Sequence, residues 1–102
     1  MEKVGRRVAE RIPKIVHTCW FGPEPKPPLI LRCRASWSRH LADYTIKEWN
    51  ESNFDLDAHP YAKQAYESRK YAFCTDYVRI WALYNEGGIY MDTDVELIKP
   101  LD

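Results

Sequence analysis

The chain has 102 residues, 45% of them hydrophobic, 14% aromatic and 29% charged. That is the make-up of one small domain with a real core, and it excludes multi-domain machinery, a disordered chain and a collagen-like one. Fifteen basic residues balance fifteen acidic ones, so the net charge asks for neither nucleic acid nor an acidic membrane as partner.

Residues 1–11 are charged and are read as a separate N-terminal segment without chemistry; the domain runs from 12 to 102. The basic start lacks the apolar stretch of a signal peptide, and no apolar run approaches the roughly 20 residues needed to span a bilayer. Residues 14–21 form a β-rich run ended by Gly22-Pro23, which predicts a buried first strand. Pro23, Pro25, Pro27 and Pro28 make the next loop extended and stiff, and the last can open a helix over 29–40. A second strand is predicted over 44–49, followed by an Asn/Ser turn at 50–53.

After Pro60 comes a weakly amphipathic stretch to Ser68, then the most apolar segment, 70–86. With Tyr71, Phe73, Tyr77, Val78, Ile80 and Trp81 among its residues it leaves almost no polar face, and the pattern predicts a helix buried nearly all round. Gly87-Gly88 stops it. A third strand begins at 89–91, and 95–98 reads as a fourth extended piece. Strands alternating with helices imply an α/β fold with a mostly parallel sheet, whose ligands bind at the carboxyl ends of the strands.

Charge is unevenly spread. Residues 86–102 hold five acidic side chains and one basic. Among them, Asp92 and Asp94 would project to one side of an extended chain, with Thr93 between them pointing away. Two hard anionic oxygens there can hold Mg²⁺ or Mn²⁺ and, through it, a diphosphate. Asp55 and Asp57 have the same spacing but follow turn residues, which suits helix capping or solvation instead.

Asp76 and Arg79 are the only charges between Lys70 and Glu86, and their i, i+3 spacing puts them on one helix face. They are read either as an internal salt bridge or as a pair facing a hydroxyl-rich ligand. Trp20, at a strand end before Gly22, is either a core residue or a platform for a nucleobase. His17 reads as a satisfied strand histidine rather than a metal ligand, since no second His or Cys stands at ligand spacing. Cys19, Cys33 and Cys74 form no C-x-x-C pair and suggest neither a disulfide framework nor a zinc site, which points to a reducing compartment. No G-x-G-x-x-G, P-loop, H-E-x-x-H or G-x-S-x-G motif is present.

Three stretches together resemble one family: Ile12-Pro13-Lys14-Ile15-Val16-His17-Thr18-Cys19-Trp20-Phe21-Gly22, Ala72-Phe73-Cys74-Thr75-Asp76-Tyr77-Val78-Arg79 and Gly87-Gly88-Ile89-Tyr90-Met91-Asp92-Thr93-Asp94. They are similar to the DXD-containing glycosyltransferases of family 32, which include capsular polysaccharide glycosyltransferases and yeast mannosyltransferases. The resemblance implies a GT-A fold and transfer of a sugar from a UDP- or GDP-sugar donor to a saccharide acceptor, with retention at the anomeric carbon. It places Trp20 on the base, Asp76 and Arg79 on sugar or ribose hydroxyls, and Tyr90 in the same pocket. Asp92 would touch ribose or donor sugar and the metal, and Asp94 would be the direct metal ligand, with Mn²⁺ or Mg²⁺ bound.

Members of this fold normally continue well beyond the DXD motif. The chain ends eight residues after Asp94 and is therefore expected to be the N-terminal, nucleotide-sugar-binding part of such a domain, truncated after the motif and able to associate with itself through exposed apolar surface. The expected setting is bacterial capsular or surface polysaccharide synthesis, in the cytoplasm or peripheral at the inner face of the membrane. Two other readings stay open on the residues: a module that binds metal, nucleotide or a partner without sugar transfer, and a structural reading with an internal Asp76–Arg79 bridge and a solvated Asp92/Asp94 turn.

Overall fold

A computed structural model describes residues 12–97; the charged segment 1–11 lies outside the described residues, as does Ile98. Chain order is β1 (Ile15–Cys19), α1 (Pro28–His40), β2 (Thr45–Trp49), a short 3₁₀ turn (Leu56–Ala58), α2 (Pro60–Glu67), α3 (Tyr71–Glu86) and β3 (Ile89–Tyr90). The three strands form one parallel sheet in the order β2-β1-β3. Five residues of β1 pair with β2, from Ile15 opposite Thr45 to Cys19 opposite Trp49. Only Val16 and His17 pair with β3, opposite Ile89 and Tyr90.

The period-two alternation of a strand divides β1 between two layers. Val16 faces α1, in a core with Trp37, Leu41 and Met91. Cys19 faces α3, in a second core with Trp49, Phe54, Cys74, Val78 and Ala82. A parallel sheet with helices on both faces is the α/β arrangement that the sequence predicts.

Pro28 opens α1 at a position where a missing N–H costs nothing, and the extended Pro27 before it (φ −66°, ψ 161°) brings the chain in. Ile30, Cys33 and Trp37 then form its buried stripe. Between α2 and α3 the backbone turns at Arg69, a non-glycine residue at φ 60°, whose N–H bonds to the Tyr66 carbonyl.

α3 departs from its sequence reading. Its buried residues are Cys74, Val78 and Ala82, spaced four apart and all fully enclosed, whereas Phe73, Ile80 and Tyr84 are 54%, 63% and 88% exposed. Residues repeating every four positions form one stripe, and here the stripe of small side chains faces the sheet, so that the helix packs closely on β1. Phe73, Ile80 and Tyr84 project the other way, while Tyr71, Tyr77 and Trp81 pack at the margin of the core.

The glycine stop has a second reason. Gly87 (φ 71°) ends α3, its N–H bonding to the Leu83 carbonyl. Gly88 (φ 93°) passes so close to β1 that a Cβ there would lie 2.5 Å from the Ile15 carbonyl oxygen. Only glycine lets β3 reach its register.

Ile98, the last residue of the fourth strand expected over 95–98, lies outside the described residues; 95–97 have no sheet partner and run across α1 instead. Trp37 Nε1–H donates to the Val95 carbonyl (2.6 Å), and Leu97 N–H donates to Ser36 Oγ (2.9 Å). These bonds give the backbone the partners a strand would have supplied.

Candidate donor-binding site

Because the chain leaves β1 toward β2 on one side and returns through β3 on the other, the carboxyl ends of β1 and β3 border a crevice. An open cleft of about 560 Å³ lies there. Trp20, Asp76, Tyr90, Asp92 and Asp94, all singled out from the sequence, line it together. Arg79 stands beside it, its guanidinium carbon 5.7 Å from the centre of the Tyr90 ring and its Nη2 3.9 Å from the Asp76 carboxylate. Both members of that pair are well exposed, so they do not form the internal salt bridge of the plainer reading. A loose pair of this kind contributes at most about 1 kcal/mol to stability and stays available to a ligand.

Asp92 and Asp94 do not sit on an extended strand. Met91 N–H donates the last sheet bond, to the His17 carbonyl, after which Val95 N–H closes a turn onto the Asp92 carbonyl (3.2 Å). The same-side projection expected of an extended chain therefore does not apply. What brings the two exposed carboxylates to one cleft is this turn, pinned to α1 through Val95 and Leu97.

Trp20 is held on the opposite wall. Its backbone N–H bonds to the Trp49 carbonyl (2.9 Å), and its indole Nε1–H donates to the Glu24 carbonyl (2.9 Å). Tyr90 at the floor keeps its proton: burial, the neighbouring Cys19 and then Asp92 push the phenol well above its usual range, against the pull of Arg79. It is thus a neutral hydroxyl donor or acceptor at any physiological pH. Burial likewise pushes the Cys19 thiol up to about 12.

Residues that sequence reasoning passed over include Tyr71, Thr75 and Ile30, which also line the cleft. Tyr71 and Thr75 precede Arg79 by two turns and one turn at i, i+4 spacing, a signal present in the sequence. Tyr71 also packs its ring against Gly22, where a Cβ would fall 2.8 Å from it. Ile30 comes from α1, and no local pattern points to it.

His17 is fully buried and has a partner at each ring nitrogen, as a strand histidine should. Asp57 pairs with Lys63 at the surface (2.9 Å), and Asp55 makes no side-chain cap bond, so the second D-x-D tripeptide is a solvated turn. Among the described residues no three His, Cys, Asp or Glu side chains gather as a metal cage. The Asp92 and Asp94 carboxylates nevertheless fit a divalent cation that takes hard oxygen ligands and shares its remaining positions with a diphosphate and water.

Residues 27–102 match the family described as glycosyltransferase sugar-binding region containing DXD motif. The chain is 28% identical over 103 residues to inositol phosphoceramide mannosyltransferase 1 of Schizosaccharomyces pombe, a match covering 91% of this chain and 31% of that protein. It is 32% identical over 95 residues to inositol phosphoceramide mannosyltransferase 3 of the same yeast, covering 89% and 26%. It thus spans between about a quarter and a third of the length of these relatives. Among solved structures the PaToxG glycosyltransferase superposes with a TM-score of 0.71 at 18% identity, over 88% of this chain and 45% of that one. The likeness is one of fold, and it agrees with the GT-A-like arrangement implied by the sequence resemblance.

Proposed function

The chain belongs to the glycosyltransferase family whose sugar-binding region contains a DXD motif, and from that premise we propose that it forms the nucleotide-sugar-binding part of a metal-dependent, retaining glycosyltransferase. One observation carries the reading. A single cleft at the carboxyl ends of β1 and β3 is lined by an indole, a carboxylate on α3, a neutral phenol and the two DXD carboxylates.

Each side chain has a task suited to its chemistry. The Trp20 indole offers a flat face to the nucleobase. Asp76 accepts hydrogen bonds from ribose or sugar hydroxyls, and Arg79 donates to hydroxyls or to the diphosphate. Tyr90 supplies a neutral hydroxyl between them. Asp94 and Asp92 hold Mn²⁺ or Mg²⁺, which when bound neutralises charge on the leaving diphosphate.

The activity named for both yeast relatives is mannosyl transfer, which makes a nucleotide-activated mannose the first donor to try. The acceptor is a saccharide, in keeping with the surface-polysaccharide role implied by the resemblance, or an inositol-bearing phospholipid like the inositol phosphoceramide in the relatives' names. No helix of the described residues is long and apolar enough to cross a membrane, and a place at the inner membrane face suits such acceptors.

Isothermal calorimetry with UDP, GDP and their sugars, with and without Mn²⁺, tests the proposal. Metal-dependent binding that disappears in Asp94→Asn is the expected outcome and identifies the base. Binding that ignores both the metal and the substitution would overturn the assignment of the DXD carboxylates.

A further inference from the structure

We propose that Lys26 and Glu48 are positioning residues for Trp20, forming a clamp that fixes the indole at the wall of the cleft. The clamp begins with Glu48, near the end of β2 and only 20% exposed. Both of its oxygens are engaged by Lys26 Nζ, at 3.1 and 3.2 Å, while Arg34 of α1 binds Oε1 at 2.6 Å. One carboxylate, a quarter or less exposed like its two cationic partners, thereby ties the proline loop and α1 to the sheet. This is a different situation from a solvated surface pair, whose two ends move independently.

The loop transmits that anchorage. Prolines at 23, 25, 27 and 28 fix φ at four of its six residues, so holding Lys26 also holds the Glu24 carbonyl two residues earlier. That carbonyl accepts the Trp20 indole N–H. The Lys26 ammonium adds a direct contact, 5.7 Å from the centre of the indole ring. Lys26 is not among the cleft-lining residues, so its influence on a ligand passes through Trp20. Any effect on donor affinity rests on the reading of Trp20 as the base-stacking residue; the placement of the indole does not.

The test uses the ¹⁵N-labelled chain. The Trp20 indole N–H signal is identified by its loss in Trp20→Phe, and its hydrogen exchange is followed in Lys26→Met and Glu48→Gln. Exchange about tenfold faster at Trp20, with the Trp37 and Trp49 indoles unchanged, is the expected result. Unchanged exchange at Trp20 in Lys26→Met would overturn the clamp, and that variant keeps the test open should Glu48→Gln fail to fold.

Affinity for UDP or GDP separates positioning from contact. Lys26→Met is expected to weaken binding about threefold to tenfold in the wild type and not at all in Trp20→Ala. An equal loss in both backgrounds would make Lys26 a ligand contact and overturn the proposal. If Trp20→Ala itself leaves nucleotide affinity intact, the base-stacking reading fails, and the indole exchange still decides the clamp.

Discussion

The Trp49 indole donates its Nε1–H to Nδ1 of His17 across 3.0 Å, with the two rings 20° from parallel. An indole nitrogen only donates, so Nδ1 accepts and the imidazole proton sits on Nε2, which donates to the Gly87 carbonyl at 2.8 Å. One side chain of β1 thus joins the end of β2 to the glycine that leads into β3.

Replacing His17 by Leu leaves the indole N–H and the Gly87 carbonyl without this partner. The expected loss is about 2–4 kcal/mol, read as a lower urea midpoint. A midpoint equal to the wild type would show that the imidazole bridge adds nothing to the sheet.

Gly88→Ala is expected to damage the DXD wall through the backbone. The new Cβ would meet the Ile15 carbonyl oxygen at 2.5 Å, at a φ that L-residues rarely adopt. A loss of about 2 kcal/mol or more is expected, with broadened amide signals of residues 89–94 in NMR spectra. Tyr71→Ala, which relieves no such contact at β3, should leave those signals in place.

Outward substitutions on α3 should cost little. Ile80→Lys and Tyr84→Lys are expected to shift the stability by no more than about 0.5 kcal/mol, because both side chains are mostly exposed. Val78→Lys, at a fully buried position, should prevent folding. Circular dichroism in urea distinguishes the two classes.

That contrast shows where the sequence was legible and where it was not. The extent of α3 could be read from its largely apolar run and its glycine stop. Which side faces the sheet could not, since hydrophobicity favours Phe73, Ile80 and Tyr84, while close approach to β1 favours Cys74, Val78 and Ala82. Asp92 and Asp94, which line the cleft, stand out in the sequence by their spacing together with the glycine stop and strand start before them. Their turn does not, because the point where β3 ends is set by pairing with His17, far away in sequence. Ile30 in the cleft is invisible to local pattern for the same reason.

Acid should weaken the clamp at Glu48. Burial acts to raise its carboxyl, but the hydrogen bonds from Arg34 and Lys26 outweigh it and hold the group below its ordinary value of 4.5. A depressed folded-state value means that the contribution is complete above the unfolded value and is lost as pH falls through the folded one. Urea midpoints of wild type and Glu48→Gln should therefore differ at pH 7 and converge only as the pH falls through the depressed value of Glu48, below 4.5.

The thiols should be silent in the folded chain. Burial pushes Cys19 up to about 12 and Cys74 up to about 11, and Cys33 is enclosed within α1. At pH 8 Cys19 therefore stays a thiol, and the thiol is the unreactive form. A chromogenic disulfide should label all three in denaturant and react only slowly without it; rapid native labelling at Cys19 would contradict its burial.

The two walls of the cleft rest on ladders of unequal length. Trp20 follows a strand held by five paired residues, while Asp92 and Asp94 follow one held by two. Local opening needs fewer bonds broken on the second side, so amide exchange should be fastest there within the sheet. The cleft is therefore a fixed jaw facing a yielding one. On the proposed reading, a base would meet a surface already in place, and the side that carries the Asp92 and Asp94 carboxylates would be the one to adjust to the span of a diphosphate.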